Sequence, residues 1–74
     1  MELYVYVLVT EAISRNGFDT SVDVYFSEKA AKKALKERTD EKWEISMVDG
    51  KSANFPKGYD TTKRMTIKRI EVLS

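Results

Sequence analysis

The chain begins with side chains that alternate in character, which is the two-residue period of a β-strand. Residues 2–12 are rich in valine and tyrosine, residue types that favour strands. The two sides of this strand are Leu3, Val5, Val7 and Val9, and Tyr4, Tyr6, Leu8 and Thr10. The two sides of a second strand, residues 20–26, are Val22, Val24 and Phe26, and Ser21, Asp23 and Tyr25. Asn16-Gly17 between them tolerates the positive φ of a tight turn, so an antiparallel hairpin is expected.

The period then changes to that of a helix. Ser27 is a candidate N-cap, since its hydroxyl can accept a free amide of the first turn. Phe26 and Ala31 have the spacing of a hydrophobic staple across that turn. The predicted helix covers residues 28–38 and ends at Thr39-Asp40. Its narrow apolar stripe is Ala30, Ala31, Ala34 and Leu35.

Two further strands are predicted. Trp43, Ile45 and Met47 alternate with polar residues and indicate a half-buried third strand, followed by a loop over residues 51–62. In the last strand, residues 63–73, the apolar residues move from one side to the other. Met65 and Ile67 share one side, and Ile70 and Val72 share the opposite side. Either a bulge near Lys68-Arg69 brings all four to the core, or both sides of this strand are partly covered.

The element order predicts an α+β fold of the ββαββ type in a single domain, residues 1–74. The expected packing is a four-stranded, mainly antiparallel sheet with one helix across one face. The strand order is left open by the pattern.

The valine side of the sheet is expected to lie under the helix. One helix covers one face of a sheet, and a chain of 74 residues buries only about 60% of its unfolded surface. The tyrosine side, with Tyr4, Tyr6 and Tyr25, is therefore expected to bind a protein partner or to close a homodimer. The alternative is a solvated sheet with its tyrosine rings lying flat.

The composition excludes much chemistry. The chain has no histidine and no cysteine, which removes the usual general base, metal ligands and thiolate nucleophile. Its three glycines are isolated, so no glycine-rich phosphate loop is present. We expect no enzymatic activity and no catalytic, cofactor-binding or metal-binding residues.

Charge offers a second candidate surface. The net charge is +1, but residues 27–38 and 61–74 are basic while the other segments are acidic. A nucleic-acid-binding surface is the alternative function. Its candidate residues are Lys29, Lys32, Lys33, Lys36, Lys63, Arg64, Lys68 and Arg69. The simpler interpretation is a solvated helix face, with Glu28 paired to Lys32 and Lys33 paired to Glu37, and a protected strand edge.

Base stacking on the tyrosine side is disfavoured by acidic residues expected on the same side, Asp23 and Glu44. The loop over residues 51–62 adds Phe55 and Tyr59 as candidate protein-binding residues. In a second interpretation, Phe55 folds back and covers one end of the core. The longest apolar stretch, residues 3–9, is too short to span a bilayer, and no secretory signal is visible, so a cytoplasmic location is expected.

Residues 4–35 carry a pattern that resembles a known group. Its parts are Tyr4-Val5-Tyr6-Val7, Val22-Asp23-Val24-Tyr25-Phe26-Ser27-Glu28-Lys29-Ala30 and Ala34-Leu35. The pattern is similar to short, mostly uncharacterised proteins of bacteriophages and mobile elements. The resemblance implies a cytoplasmic accessory protein, some of which bind and block host or defence factors, and it assigns no functional residue. The leading hypothesis is a protein-binding module that inhibits or modulates a bacterial factor.

Overall fold

The computed structural model describes residues 3–14, 17–55 and 62–73. Within them lie five strands and one helix. In chain order they are β1 (Leu3–Ser14), β2 (Gly17–Tyr25), α1 (Glu28–Glu37), β3 (Glu44–Ile45), β4 (Ser52–Phe55) and β5 (Lys63–Leu73).

The strands form one antiparallel sheet in the order β2-β1-β5-β4-β3. The predicted α+β class is confirmed, but the sheet has five strands where four were expected. The additional strand is β4, which lies inside the predicted loop of residues 51–62. The last strand of the chain is a central strand, because β5 pairs with β1 on one side and with β4 on the other.

The hairpin expected from Asn16-Gly17 is present between β1 and β2. Val9 pairs with Val22, and the last pair before the turn is Ser14 with Gly17. Gly17 has a φ of 132°, a conformation that residues with a Cβ rarely adopt. The turn residues 15–16 themselves lie outside the described part of the chain.

Helix α1 begins where its cap predicts. The Ser27 Oγ accepts a hydrogen bond of 3.1 Å from the backbone N–H of Ala30. Ala31 and Leu35, one turn apart, are buried against the sheet. The predicted staple is wrong, because the Phe26 side chain is 82% exposed.

The core lies between α1 and the side of the sheet that carries the tyrosines. Its buried members are Leu8, Ala31, Leu35, Ala53, Met65 and Ile67. Tyr6 and Tyr25 pack against this cluster. The expected assignment of the two faces is therefore reversed. The helix covers the tyrosine side, and the valines lie on the other side.

The later strands differ from prediction in two details. Met65 and Ile67 are buried, whereas Ile70 is 46% exposed on the opposite side. A bulge near Lys68-Arg69 is wrong, since pairing with β1 is regular there and shifts only between Leu3 and Tyr4. The alternative that β5 places apolar residues on both sides is the one observed. Only Glu44–Ile45 forms β3, and Met47 is 98% exposed.

An ionic cluster joins the start of α1 to the segment before β4. The Glu28 carboxylate lies 3.0 Å from Lys32 Nζ and 3.4 Å from Lys51 Nζ. Hydrogen bonds from Lys32 and then from Lys51 lower the pKa of Glu28 below its ordinary value of 4.5. The pKa of Glu28 is lower in the folded chain than in the unfolded chain. The ionised carboxylate therefore stabilises the fold, and its contribution is complete at pH values above the unfolded pKa. This contribution is lost as the pH falls through the folded pKa.

We expect Glu28→Gln to lower the urea midpoint at neutral pH and to make the midpoint less dependent on pH in the acid range. Urea unfolding from neutral pH to below pH 4.5 measures this. Glu37→Gln is the matched control, because Glu37 is also spaced four residues from a lysine, at the longer distance of 4.0 Å from Lys33. Identical acid profiles for wild type and Glu28→Gln would contradict the assignment.

Candidate protein-binding surface

The side of the sheet opposite α1 carries a contiguous set of aliphatic side chains, which we call the valine face. It spans β1, β2 and the end of β5. Its members are Leu3, Val5, Val7, Val9, Val22, Val24 and Ile70. Strand pairing places all of them except Leu3 on one side, since Val7 lies opposite Val24, Val9 opposite Val22 and Val5 opposite Ile70. Residues opposite each other in a sheet project to the same side.

The valine face is open at its border and closely packed at its centre. Val22 and Val24 are 57% and 56% exposed, and Leu3 and Ile70 are each 46% exposed. Val7 lies between them and is only 7% exposed. Contiguous exposed apolar patches are a common feature of surfaces that bind other proteins. The half-exposed side chains at the border still have apolar area that a partner could bury.

Beyond the valine face, toward the β1–β2 turn, this side becomes charged and then apolar again. Glu11 lies opposite Thr20 on β2 and Arg64 on β5, and its carboxylate is 3.2 Å from Arg64. The next pair is Ile13 with Phe18, both 58% exposed. Apolar rows therefore lie on both sides of one self-neutralised ion pair.

The half of this side formed by β5, β4 and β3 is polar. The strand pairing places Lys68, Thr66, Arg64, Ser52, Asn54 and Glu44 there. The open side thus has an apolar half at the β2 edge and a polar half at the β3 edge. Interfaces between proteins also combine an apolar area with adjoining polar residues.

The tyrosines predicted to bind a partner occupy the helix side instead. Tyr6 and Tyr25 pack against the core. Arg38 at the end of α1 donates hydrogen bonds to Asp23 and, at 3.4 Å, to the Tyr25 hydroxyl. The Asp23 carboxylate raises the pKa of the Arg38 guanidinium. The Tyr4 ring lies 4.7 Å from the Arg69 guanidinium. The reason for assigning these tyrosines to an interface, an uncovered face, no longer holds.

Phe55 also serves the packing of the helix side. Its ring lies 5.2 Å from the ring of Trp43, which packs against the core, and Lys63 Nζ lies 5.4 Å from the Phe55 centroid. This matches the interpretation in which Phe55 covers one end of the core, with the difference that Phe55 belongs to β4. Tyr59, the other candidate from this segment, lies outside the described residues.

The basic residues proposed for nucleic-acid binding do not form one surface. Lys32 and Lys33 pair with Glu28 and Glu37, as predicted. Lys29 and Lys36 are also exposed on α1. Strand alternation divides the four candidates on β5 between the two sides of the sheet. Lys63 and Arg69 contact rings on the helix side, whereas Arg64 and Lys68 lie on the open side.

Other sites offer little chemistry. A groove of about 530 Å³ beside the end of α1 is bordered by Asp23, Arg38, Trp43 and Lys63, but its charged residues already contact one another or a ring. The described residues contain no group of three or more acidic side chains placed to hold a metal ion. They also contain no helix long and apolar enough to cross a membrane.

The sequence carried one signal for the true orientation of the sheet. Glu11 continues the valine alternation, whereas Thr10 and Ala12 continue the alternation of the tyrosines and Leu8. A carboxylate is retained on the side that reaches water. That position favours the valine side as the open one, whereas Asp23 favours the opposite side, where its carboxylate pairs with Arg38.

Comparison with known proteins adds no relative. No protein-family model, no curated protein and no solved structure matches this chain.

Proposed function

We propose that this chain is a non-enzymatic protein-binding module that acts through its valine face. The observation that carries the proposal is the set of half-exposed aliphatic side chains across β2, β1 and β5, on the side opposite the helix. Burying exposed aliphatic surface against a partner lowers the free energy by about 25 cal/mol per Å². The cleft beside this surface is lined by Glu11, Ile13 and Arg64, and its acid and base already pair with each other, so it offers a small ligand little to bind.

Charge supports a protein rather than a nucleic acid as the partner of this face. The open side carries Glu11 and Glu44 against Arg64 and Lys68, and Arg64 is already paired with Glu11. A face with balanced charge does not concentrate phosphate. The wider role of a cytoplasmic inhibitor or modulator of a bacterial factor rests on the resemblance of residues 4–35 and is part of the same proposal.

Charge introduced into the valine face tests the proposal. Tagged wild type and Val24→Lys are used to capture proteins from a bacterial lysate, and each captured protein is then purified and titrated. We expect Val24→Lys to weaken binding at least tenfold, because a lysine at an apolar interface loses hydration without gaining a partner.

Ser21→Lys is the matched control. Ser21 is an exposed residue of the same strand, and its side chain projects to the helix side. It should bind the purified partner as wild type does. Equal affinities of wild type and Val24→Lys for every captured protein would refute binding through the valine face.

A further inference from the structure

We propose that, when the protein is alone, a second copy of this chain covers the valine face. This inference rests on the proposed function, since it assigns an occupant to the same surface. The two sheets would pack face to face about 10 Å apart, as in a β-sandwich. Any other protein that binds the valine face would compete with the second copy.

The size of the core is the first argument. Among the residues that the structure describes, the helix-side core has six buried members, and two of them are alanines. Chains of this length are marginally stable, and dimerisation is one way to bury more apolar area. The chain offers no disulfide as a substitute, because it has no cysteine. A second copy would convert the valine face into a second core.

The available area is the second argument. The molecule measures 43 × 28 × 17 Å, and its thin dimension is the thickness of one sheet and one helix. The two strands that would overlap, β1 and β2, have 12 and nine residues at about 3.3 Å per residue. An interface of this size belongs to the small, weakly associating class of less than about 1,200 Å² in total, which is why micromolar concentrations are needed to observe it.

Self-complementarity is the third argument, and it selects one arrangement. A two-fold axis parallel to the strands, between β1 and β2, places β1 of one copy over β2 of the other and preserves the paired rows. The rows then match Val7 with the second copy's Val24 and Val9 with its Val22. They also match Ile13 with its Phe18. Each apolar pair of β1 and β2 meets an apolar pair, while Ile70 on β5 stays at the border of the interface.

The same axis keeps like charges apart. Glu11, already paired with Arg64, meets the hydroxyl-bearing Thr20 of the second copy. Lys68 and Arg64 lie on β5, the neighbour of β1 on the side away from β2. In the proposed pair, β5 extends beyond the edge of the opposing β2, so these two side chains stay in water. The polar strands β4 and β3 extend beyond them. No buried unpaired charge is required, which is the usual cost of a misplaced interface.

Sedimentation equilibrium of the purified chain at tens of micromolar tests the inference. Wild type should sediment as a dimer, whereas Val22→Lys and Val24→Lys should each shift the dissociation constant at least tenfold toward monomer. Ser21→Lys, on the other side of β2, should remain dimeric. Circular dichroism checks that each variant is folded, which is expected because Val22 and Val24 are more than half exposed.

A distance measurement separates face-to-face packing from pairing of two β2 edges. A single cysteine at Ser52, introduced as Ser52→Cys in this cysteine-free chain, carries a nitroxide label for pulsed electron spin resonance. Strand and sheet spacings place the two labelled backbone positions about 25 Å apart in the proposed dimer and about 35 Å apart in an edge-paired dimer.

The outcomes are distinct. A wild-type monomer, a dimer unaffected by Val24→Lys, or the longer label distance would each overturn the second-copy inference. None of these results would remove the proposed function, which fails only if purified partners bind Val24→Lys as tightly as wild type. A purified partner that converts the dimer into a mixed complex would support both.

Discussion

Leu8→Ala is expected to lower the free energy of unfolding by about 2–5 kcal/mol, the range measured for large-to-small changes in protein cores. Leu8 has no exposed surface and is one of the largest fully buried side chains among the described residues. It lies on β1, next to Ile67 on β5, and both belong to the cluster beneath α1. Removing three carbons there leaves a cavity that neighbouring strands, held by backbone hydrogen bonds, cannot close fully.

Chemical denaturation of both proteins at one fixed concentration measures the effect, since self-association would make the midpoint depend on concentration. Leu3→Ala is the matched control. Leu3 starts the same strand, lies outside the core cluster and is 46% exposed, so its loss should cost much less in the monomer. If Leu3→Ala were the more damaging change for a monomeric protein, the assignment of the core to the tyrosine side would be wrong.

Ala31→Leu is expected to destabilise the fold by about 1–3 kcal/mol, the usual cost of overpacking. Ala31 is fully buried where α1 faces the sheet, and Leu35 follows one turn later. The helix approaches the sheet closely because this side chain is a single methyl group. Leucine would have to displace the helix or force its neighbours out of their preferred rotamers.

Ala30→Leu provides the comparison, because Ala30 is the preceding helical residue and is exposed. Both substitutions replace alanine by a residue of nearly equal helix propensity, so any difference between them reports packing. Thermal unfolding should show a clear fall in Tm for Ala31→Leu and little change for Ala30→Leu. A small effect at both positions would show that the helix can move away from the sheet at little cost.

Local signals predicted most of the elements. Short stretches of sequence predicted the N-cap at Ser27, the hairpin turn before Gly17 and the bounds of β5. Each depends on neighbours in the chain, such as an oxygen three residues from an amide or a residue that tolerates positive φ. Strand β4 was missed, because Ser52, Ala53 and Asn54 have low strand propensity and are held by pairing with β5.

The assignment of faces failed for a different reason. Both sides of β1 are apolar, so alternation alone does not decide which one the helix covers. The valine side is expected under the helix, but Leu8, on the tyrosine side, packs with Met65 and Ile67 in the core. Tyrosine suits the border of that core, where the Tyr25 hydroxyl can accept from Arg38. The side of β1 that the helix covers depends on which strands are neighbours in the sheet, and local sequence does not contain that information.

The position of β5 in the sheet has a consequence for the order of folding. Residues 63–73 pair with both β1 and β4, so among the described strands the two halves of the sheet are joined by the one that is synthesised after the other four. Until then the β1–β2 hairpin has one unpaired edge on each strand and no Met65 or Ile67 to close its core. Folding that waits for such distant contacts is slow, and it leaves aliphatic strands exposed to aggregation on the nascent chain.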